Sequence, residues 1–124
     1  MSTTFKRINW WAPQTGDEEK ALILEVLDSN FLNDGEYTTR FERMLADLLG
    51  CKHAVAVTNG TSALFLALVG SGIGPGDEVI IPDITFIATA NAVKLAGAKP
   101  VLVDVDPQTL NLSPEQLERA ITSL

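Results

Sequence analysis

A single cysteine, Cys51, leaves this 124-residue chain without an internal disulfide and without a thiol set for a metal. Beside a helix end it reads as a small apolar residue. Histidine is equally scarce: His53 has no acid or thiol at a motif spacing, so it reads as a surface or boundary residue with no metal or base role. Cations are outnumbered, nine Lys and Arg against 16 Asp and Glu, and the net charge of -7 with no basic stripe excludes a nucleic-acid partner. No apolar run nears the roughly 20 residues that cross a bilayer, which excludes a membrane span. Residues 1–7 are basic but pass to Trp10, Trp11 and Pro13 without a signal-type apolar core, so a cytoplasmic location is expected. The two tryptophans read as packing anchors, against this chain or a partner. What is abundant is ordinary for a folded domain: 46% hydrophobic and 20% charged residues argue against disorder.

Periodicity divides the chain into alternating elements. Leu22, Ile23, Val26 and Leu27 recur at helical spacing behind Asp17, Glu18 and Glu19, predicting a helix over 17–27. Asn33-Asp34-Gly35 predicts a loop. Thr39 and Glu42 match a capping box for a second helix that Gly50 would stop. The run Ala54-Val-Ala-Val-Thr58 predicts a buried strand, and 61–68 a helix buried around most of its circumference. The glycine run at 70–76 leads to a strand over 78–81 closed by Pro82. A core helix is expected over 85–95, a third strand over 101–105, and a last helix capped by Ser113 and Pro114 that runs to the end at Leu124. This order predicts an α/β fold with a mostly parallel sheet and flanking helices. It divides into an N-terminal helical segment, 1–52, and the first part of an α/β domain, 53–124.

Two segments carry chemistry. Thr58-Asn59-Gly60-Thr61-Ser62 joins a predicted strand to a helix start, where free N–H groups and the Thr61 and Ser62 hydroxyls suit an anion, most naturally phosphate; as pattern alone it is equally an ordinary capped turn. Phe86, after the strand that ends at Pro82, lies where open α/β sheets bind ligands, as a flat wall for a ring or a core aromatic. The glycine run at 70–76 is no dinucleotide motif, because it follows a helix and precedes a strand.

In order along the chain, Asn33-Asp34-Gly35, Phe41-Glu42, Ala54-Val-Ala-Val-Thr-Asn-Gly-Thr-Ser-Ala-Leu64, Gly72-Ile-Gly-Pro-Gly-Asp-Glu-Val-Ile-Ile81, Thr85-Phe-Ile-Ala-Thr-Ala-Asn-Ala92 and Val103-Asp-Val-Asp106 resemble the signatures of the DegT/DnrJ/EryC1/StrS sugar aminotransferases. The resemblance implies the type I aminotransferase fold and pyridoxal phosphate as cofactor. Gly60, Thr61 and Ser62 would hold its phosphate and Phe86 would stack on its ring. Members act in polysaccharide or antibiotic sugar biosynthesis, usually moving an amino group from glutamate to a nucleotide-linked keto sugar, as homodimers with shared active sites.

The same resemblance implies that the chain is the truncated first third of such a protein. The family's catalytic lysine and the acid that pairs with the pyridine nitrogen lie downstream. None of Lys6, Lys20, Lys52, Lys94 and Lys99 sits in the lysine's motif, so no catalytic residue is expected here and this piece alone should be inactive. Two alternatives stay open: a sugar dehydratase using pyridoxal or pyridoxamine phosphate, and a non-catalytic module that binds a phosphate-bearing ligand.

Overall fold

A computed structural model of the chain describes residues 8, 9 and 11–121. They form two compact units with the boundary between Ala56 and Val57. Trp10 lies outside the described residues, and the side chain of Trp11 is 61% exposed.

The first unit contains helices α1 (Asp17–Asp28) and α2 (Glu36–Leu49). At the start of α1 the Glu19 carboxylate accepts the Gly16 N–H at 2.6 Å, and this bond holds its pKa below the ordinary value. Asn30, with φ 54°, makes the left-handed turn after α1, and Gly35 is extended. The Tyr37 hydroxyl donates to the Glu25 carboxylate, tying α2 to α1 and raising the tyrosine's pKa. Four residues earlier than expected, α2 begins at Glu36, so Thr39 lies inside it and the predicted capping box does not form. Thr39 Oγ1 instead donates to the Gly35 carbonyl, and Glu42 accepts the Ala56 N–H at 2.7 Å. Gly50 ends α2 in the left-handed region at φ 65°, with Cys51 N–H reaching back to the Ala46 carbonyl. Cys51 and His53 are both exposed, so Cys51 sits at a helix end without being packed as an apolar residue.

No strand forms over 54–58. A strand needs a laddered neighbour, and no described segment pairs with this one. The segment leads into the second unit, which opens with α3 (Gly60–Gly70). A two-residue turn and the glycine connector bring the chain to β1 (Glu78–Pro82), then α4 (Ala88–Leu95), β2 (Lys99–Val103) and α5 (Pro114–Ala120). Within the connector, the Asp77 carboxylate accepts the Gly74 N–H at 2.8 Å.

β1 and β2 pair in parallel, from Glu78 opposite Lys99 to Pro82 opposite Val103. The Asp83 N–H extends the ladder to the Val103 carbonyl. β2 thus starts and ends two residues before the predicted strand. Val105 instead forms an isolated antiparallel bridge with Leu112, because the chain must turn back there into α5. The turn is held by Asp106, whose Oδ1 accepts from the Gln108 and Thr109 N–H groups and from the Thr109 hydroxyl, all within 3.0 Å.

Ile81, Val93 and Ala98 form the core, with Leu68, Ile73, Val79 and Ala90 packed around it. α4 supplies three buried residues, Ala88, Ala92 and Val93, and its small side chains let it lie close to the sheet. It ends in a Schellman motif: the Gly97 N–H bonds the Lys94 carbonyl and the Ala98 N–H bonds the Val93 carbonyl. Gly97 takes φ 82°, and a Cβ there would meet the Pro75 ring at 3.0 Å. Contrary to the expectation of burial around most of its circumference, α3 buries no residue: it packs against α4 on one side and leaves Leu64, Leu66 and Val69 about 45% exposed. A sequence apolar all round asks for cover on several sides, and among the described residues only one side receives it. α5 keeps the predicted Ser113 cap and N1 proline but ends at Ala120.

Candidate functional site

The turn before α3 is built by Asn59. Extended at φ -165°, it is the N-cap residue, and its Oδ1 accepts the Ser62 N–H at 2.9 Å while its carbonyl accepts from Ala63. Those two bonds use N–H groups that the helix start would otherwise offer. The Gly60 and Thr61 N–H groups bond no other described residue and remain as donors, at the positive end of the helix dipole. A Cβ placed on Gly60 would meet nothing within 4 Å, so the approach to these donors is open.

Across from the turn, the segment between β1 and α4 holds Phe86 with its side chain 77% exposed. Gly60, Thr61 and Phe86 line one cleft of about 770 Å³. Leu64 and Ala67 of α3 and Ala88 of α4 supply apolar wall, while Asn59 and Thr89 join Thr61 as its polar side chains. Three of the four residues picked from sequence therefore meet at one place. Ser62 does not line the cleft, and its N–H is occupied by the cap.

Among the described residues no titratable side chain lines this cleft. An anion seated there would be held by backbone donors, the helix dipole and a hydroxyl, without a charged partner. The opposite wall suits a flat apolar ring. Sequence reading passed over Asn59 as a turn residue, although Asn three places before a helical N–H is a cap signal. It also passed over Thr89, which only the path of the segment after β1 brings to the cleft.

Elsewhere, Arg43, Lys52 and His53 line a shallow polar cleft of about 320 Å³ in the first unit, together with Glu42 and Asp47. Among the described residues no group of His, Cys, Asp or Glu is placed to hold a metal, and no helix is long and apolar enough to cross a membrane.

The DegT/DnrJ/EryC1/StrS aminotransferase family matches residues 13–124. The chain is 50% identical over 117 residues to GDP-perosamine synthase of Caulobacter vibrioides, covering 94% of this chain and 32% of that protein. It is 46% identical over 112 residues to the UDP-2-acetamido-2-deoxy-3-oxo-D-glucuronate aminotransferase of Pseudomonas aeruginosa, covering 84% and 31%. Its fold is similar to that of NtdA from Bacillus subtilis with bound cofactor PMP, at a TM-score of 0.79 and 39% identity over 87% of this chain and 26% of that one. The chain thus spans about a third of the length of the curated relatives it matches.

Proposed function

The chain belongs to the DegT/DnrJ/EryC1/StrS aminotransferase family, and from that premise we propose that its cleft is the phosphate and ring end of a pyridoxal phosphate site in a sugar aminotransferase. The reaction would pass an amino group from glutamate to a keto carbon of a nucleotide-linked sugar, in a cytoplasmic homodimer. The likeness to GDP-perosamine synthase and to a UDP-keto-sugar aminotransferase supports a nucleotide-linked acceptor. Residues from His53 onward would belong to the large cofactor-binding domain.

The observation that carries this reading is one cleft with two unlike ends. The Gly60 and Thr61 N–H groups and the Thr61 hydroxyl match a phosphate, and the exposed Phe86 ring faces the same space and matches a planar heterocycle. Ser62, off the cleft lining and with its N–H bonded to Asn59, would reach the phosphate through its hydroxyl alone. Asn59 would fix the cradle by holding the first turn of α3 in shape. Bound pyridoxal phosphate supplies a carbonyl that exchanges with amino groups and a ring that accepts electrons.

Around it, the residues present bind and orient. Phosphate contacts and a stacked ring stabilise ground and transition states alike, so they set affinity and leave the rate to groups that hold and move the substrate proton. Among the described residues no lysine lines the cleft.

The test uses 4′-deoxypyridoxine 5′-phosphate, which lacks the aldehyde and so forms no adduct with surface lysines, against unphosphorylated 4′-deoxypyridoxine. The chain should bind the phosphorylated compound more tightly by calorimetry, and Thr61→Leu, which removes the hydroxyl and crowds the backbone donors, should reduce the difference. Equal affinity for the two compounds in the unaltered chain would sink the assignment. The 124-residue chain itself should show no glutamate-dependent amination of a nucleotide-linked keto sugar.

A further inference from the structure

Phe86 presents a largely exposed ring, so side-chain packing does little to fix where it points. Its position depends on the backbone of the segment between Pro82 and Ala88. That segment is pinned at its start by the Asp83 N–H to the Val103 carbonyl, 3.0 Å. At its end the Thr89 N–H bonds the Phe86 carbonyl at 3.0 Å, and the Asn91 N–H bonds Ile87.

α4 itself begins without help, because its N-cap is Ile87, whose side chain makes no capping hydrogen bond. One bond between side chains ties the segment to that helix start, although it accepts no backbone N–H as a cap would. The Thr85 and Thr89 hydroxyls lie 2.9 Å apart, bridging the segment to the first turn of α4 from either side of Phe86. Thr89 lines the cleft and Thr85 does not.

We infer that the Thr85–Thr89 hydroxyl pair is a positioning device that holds Phe86 against the cleft. The pair closes a loop whose tip is Phe86 and whose base is α4. Opening it frees the two backbone dihedrals on each side of the ring, and the order lost there must be regained when a ring ligand stacks. The pair also leaves one hydroxyl proton uncommitted. When Thr85 donates, the Thr89 hydroxyl is free to donate into the cleft. Its effect on ligand binding rests on the function proposed above, whereas its effect on the loop does not.

The experiment uses the isotope-labelled 124-residue chain and two variants at the residue that lies off the cleft. Thr85→Val keeps the branched shape and removes the hydroxyl; Thr85→Ser keeps the hydroxyl and removes the methyl group. In the ligand-free chain, Thr85→Val should speed exchange of the Thr89 amide and lower the order of the Phe86 backbone and ring by NMR relaxation, with α3 amides unchanged. Affinity for 4′-deoxypyridoxine 5′-phosphate should fall roughly threefold to tenfold, the range of one neutral hydrogen bond. Thr85→Ser should restore both readouts. Unchanged Phe86 order in Thr85→Val, or a Thr85→Ser variant as disordered as Thr85→Val, overturns the inference. Failure of the probe to bind the unaltered chain instead removes the proposed function, and the ligand-free measurements still decide this one.

Discussion

In the unit that ends at Ala56, α1 buries no side chain and α2 buries only Ala46, while Phe41, Met44, Leu48 and Leu49 stay more than half exposed. In the unit that starts at Val57, a strand, a helix and a parallel strand close on Ile81, Val93 and Ala98. Both regions carry apolar stripes of ordinary strength. The difference is connectivity: a parallel crossover must lay its helix on the sheet it joins, so β1, α4 and β2 cover one another by construction. Two consecutive helices have no such obligation. The hydrophobic pattern announces a face that wants cover, and only topology says whether the same segment provides it.

The largest test of that contrast compares one deletion in each region. Ile81→Ala opens a cavity beneath α4 and should destabilise the second unit by about 2–5 kcal/mol, read as loss of amide protection in β1, α4 and β2. Leu48→Ala, at a side chain 81% exposed, should change stability by no more than about 0.5 kcal/mol. Comparable losses for the two would show that the Leu48 face is covered in solution and would break the comparison.

A finer test uses the two helix ends. Gly50 and Gly97 both take left-handed backbone, at φ 65° and 82°, and both close their helices with the same pair of hydrogen bonds. Gly50→Ala has nothing within 4 Å of the new methyl group, so it should cost only the backbone penalty, about 1 kcal/mol. Gly97→Ala adds contact with the Pro75 ring at 3.0 Å and should cost about 1 kcal/mol more. Urea midpoints measure both. Equal costs would mean that the Pro75 segment yields freely, and that the second unit is no more tightly built than the first at this point.

Where these elements were legible in the sequence, local chemistry was enough. The stop at Gly50, the Ser113–Pro114 start and the βαβ order needed only caps and periodicity. Where reading failed, a non-local partner decided. Glu42 left its supposed capping box because the Ala56 N–H, fourteen residues on, offered a better bond. Residues 54–58 carry a strand's composition but find no ladder among the described residues. α3 has the composition of an enclosed helix, and among the described residues α4 is its main cover. At the cleft, Thr61 and Phe86 were visible as a helix start and a strand end, but Thr89 came into view only when the segment after β1 was traced.

The smallest effect expected separates the two units by their response to acid. In the turn that follows β2, three donors from Gln108 and Thr109 converge on one oxygen of Asp106. They favour the ionised carboxylate, the Thr109 N–H most of all, and hold the Asp106 pKa below its ordinary 3.8. A carboxylate whose pKa is lower folded than unfolded stabilises the fold fully above the unfolded value. Its contribution is lost as the pH falls through the folded value. The turn should therefore hold at pH 5 and loosen only well below about pH 3.8, with the Thr109 amide proton shifting along that lower titration in NMR spectra. Asp106→Asn keeps an acceptor oxygen but cannot ionise, so the amide shift should become independent of pH there while the turn is weakened at neutral pH. In the first unit Glu19 has a similar lowered pKa, but its bond closes a helix end three residues long and carries no return of the chain. Acid should therefore fray α1 locally, whereas at Asp106 it should release the Val105–Leu112 bridge as well. A Thr109 amide that titrates at or above 3.8, or a bridge that survives with Asp106 protonated, would show that the carboxylate merely decorates a turn held by its backbone.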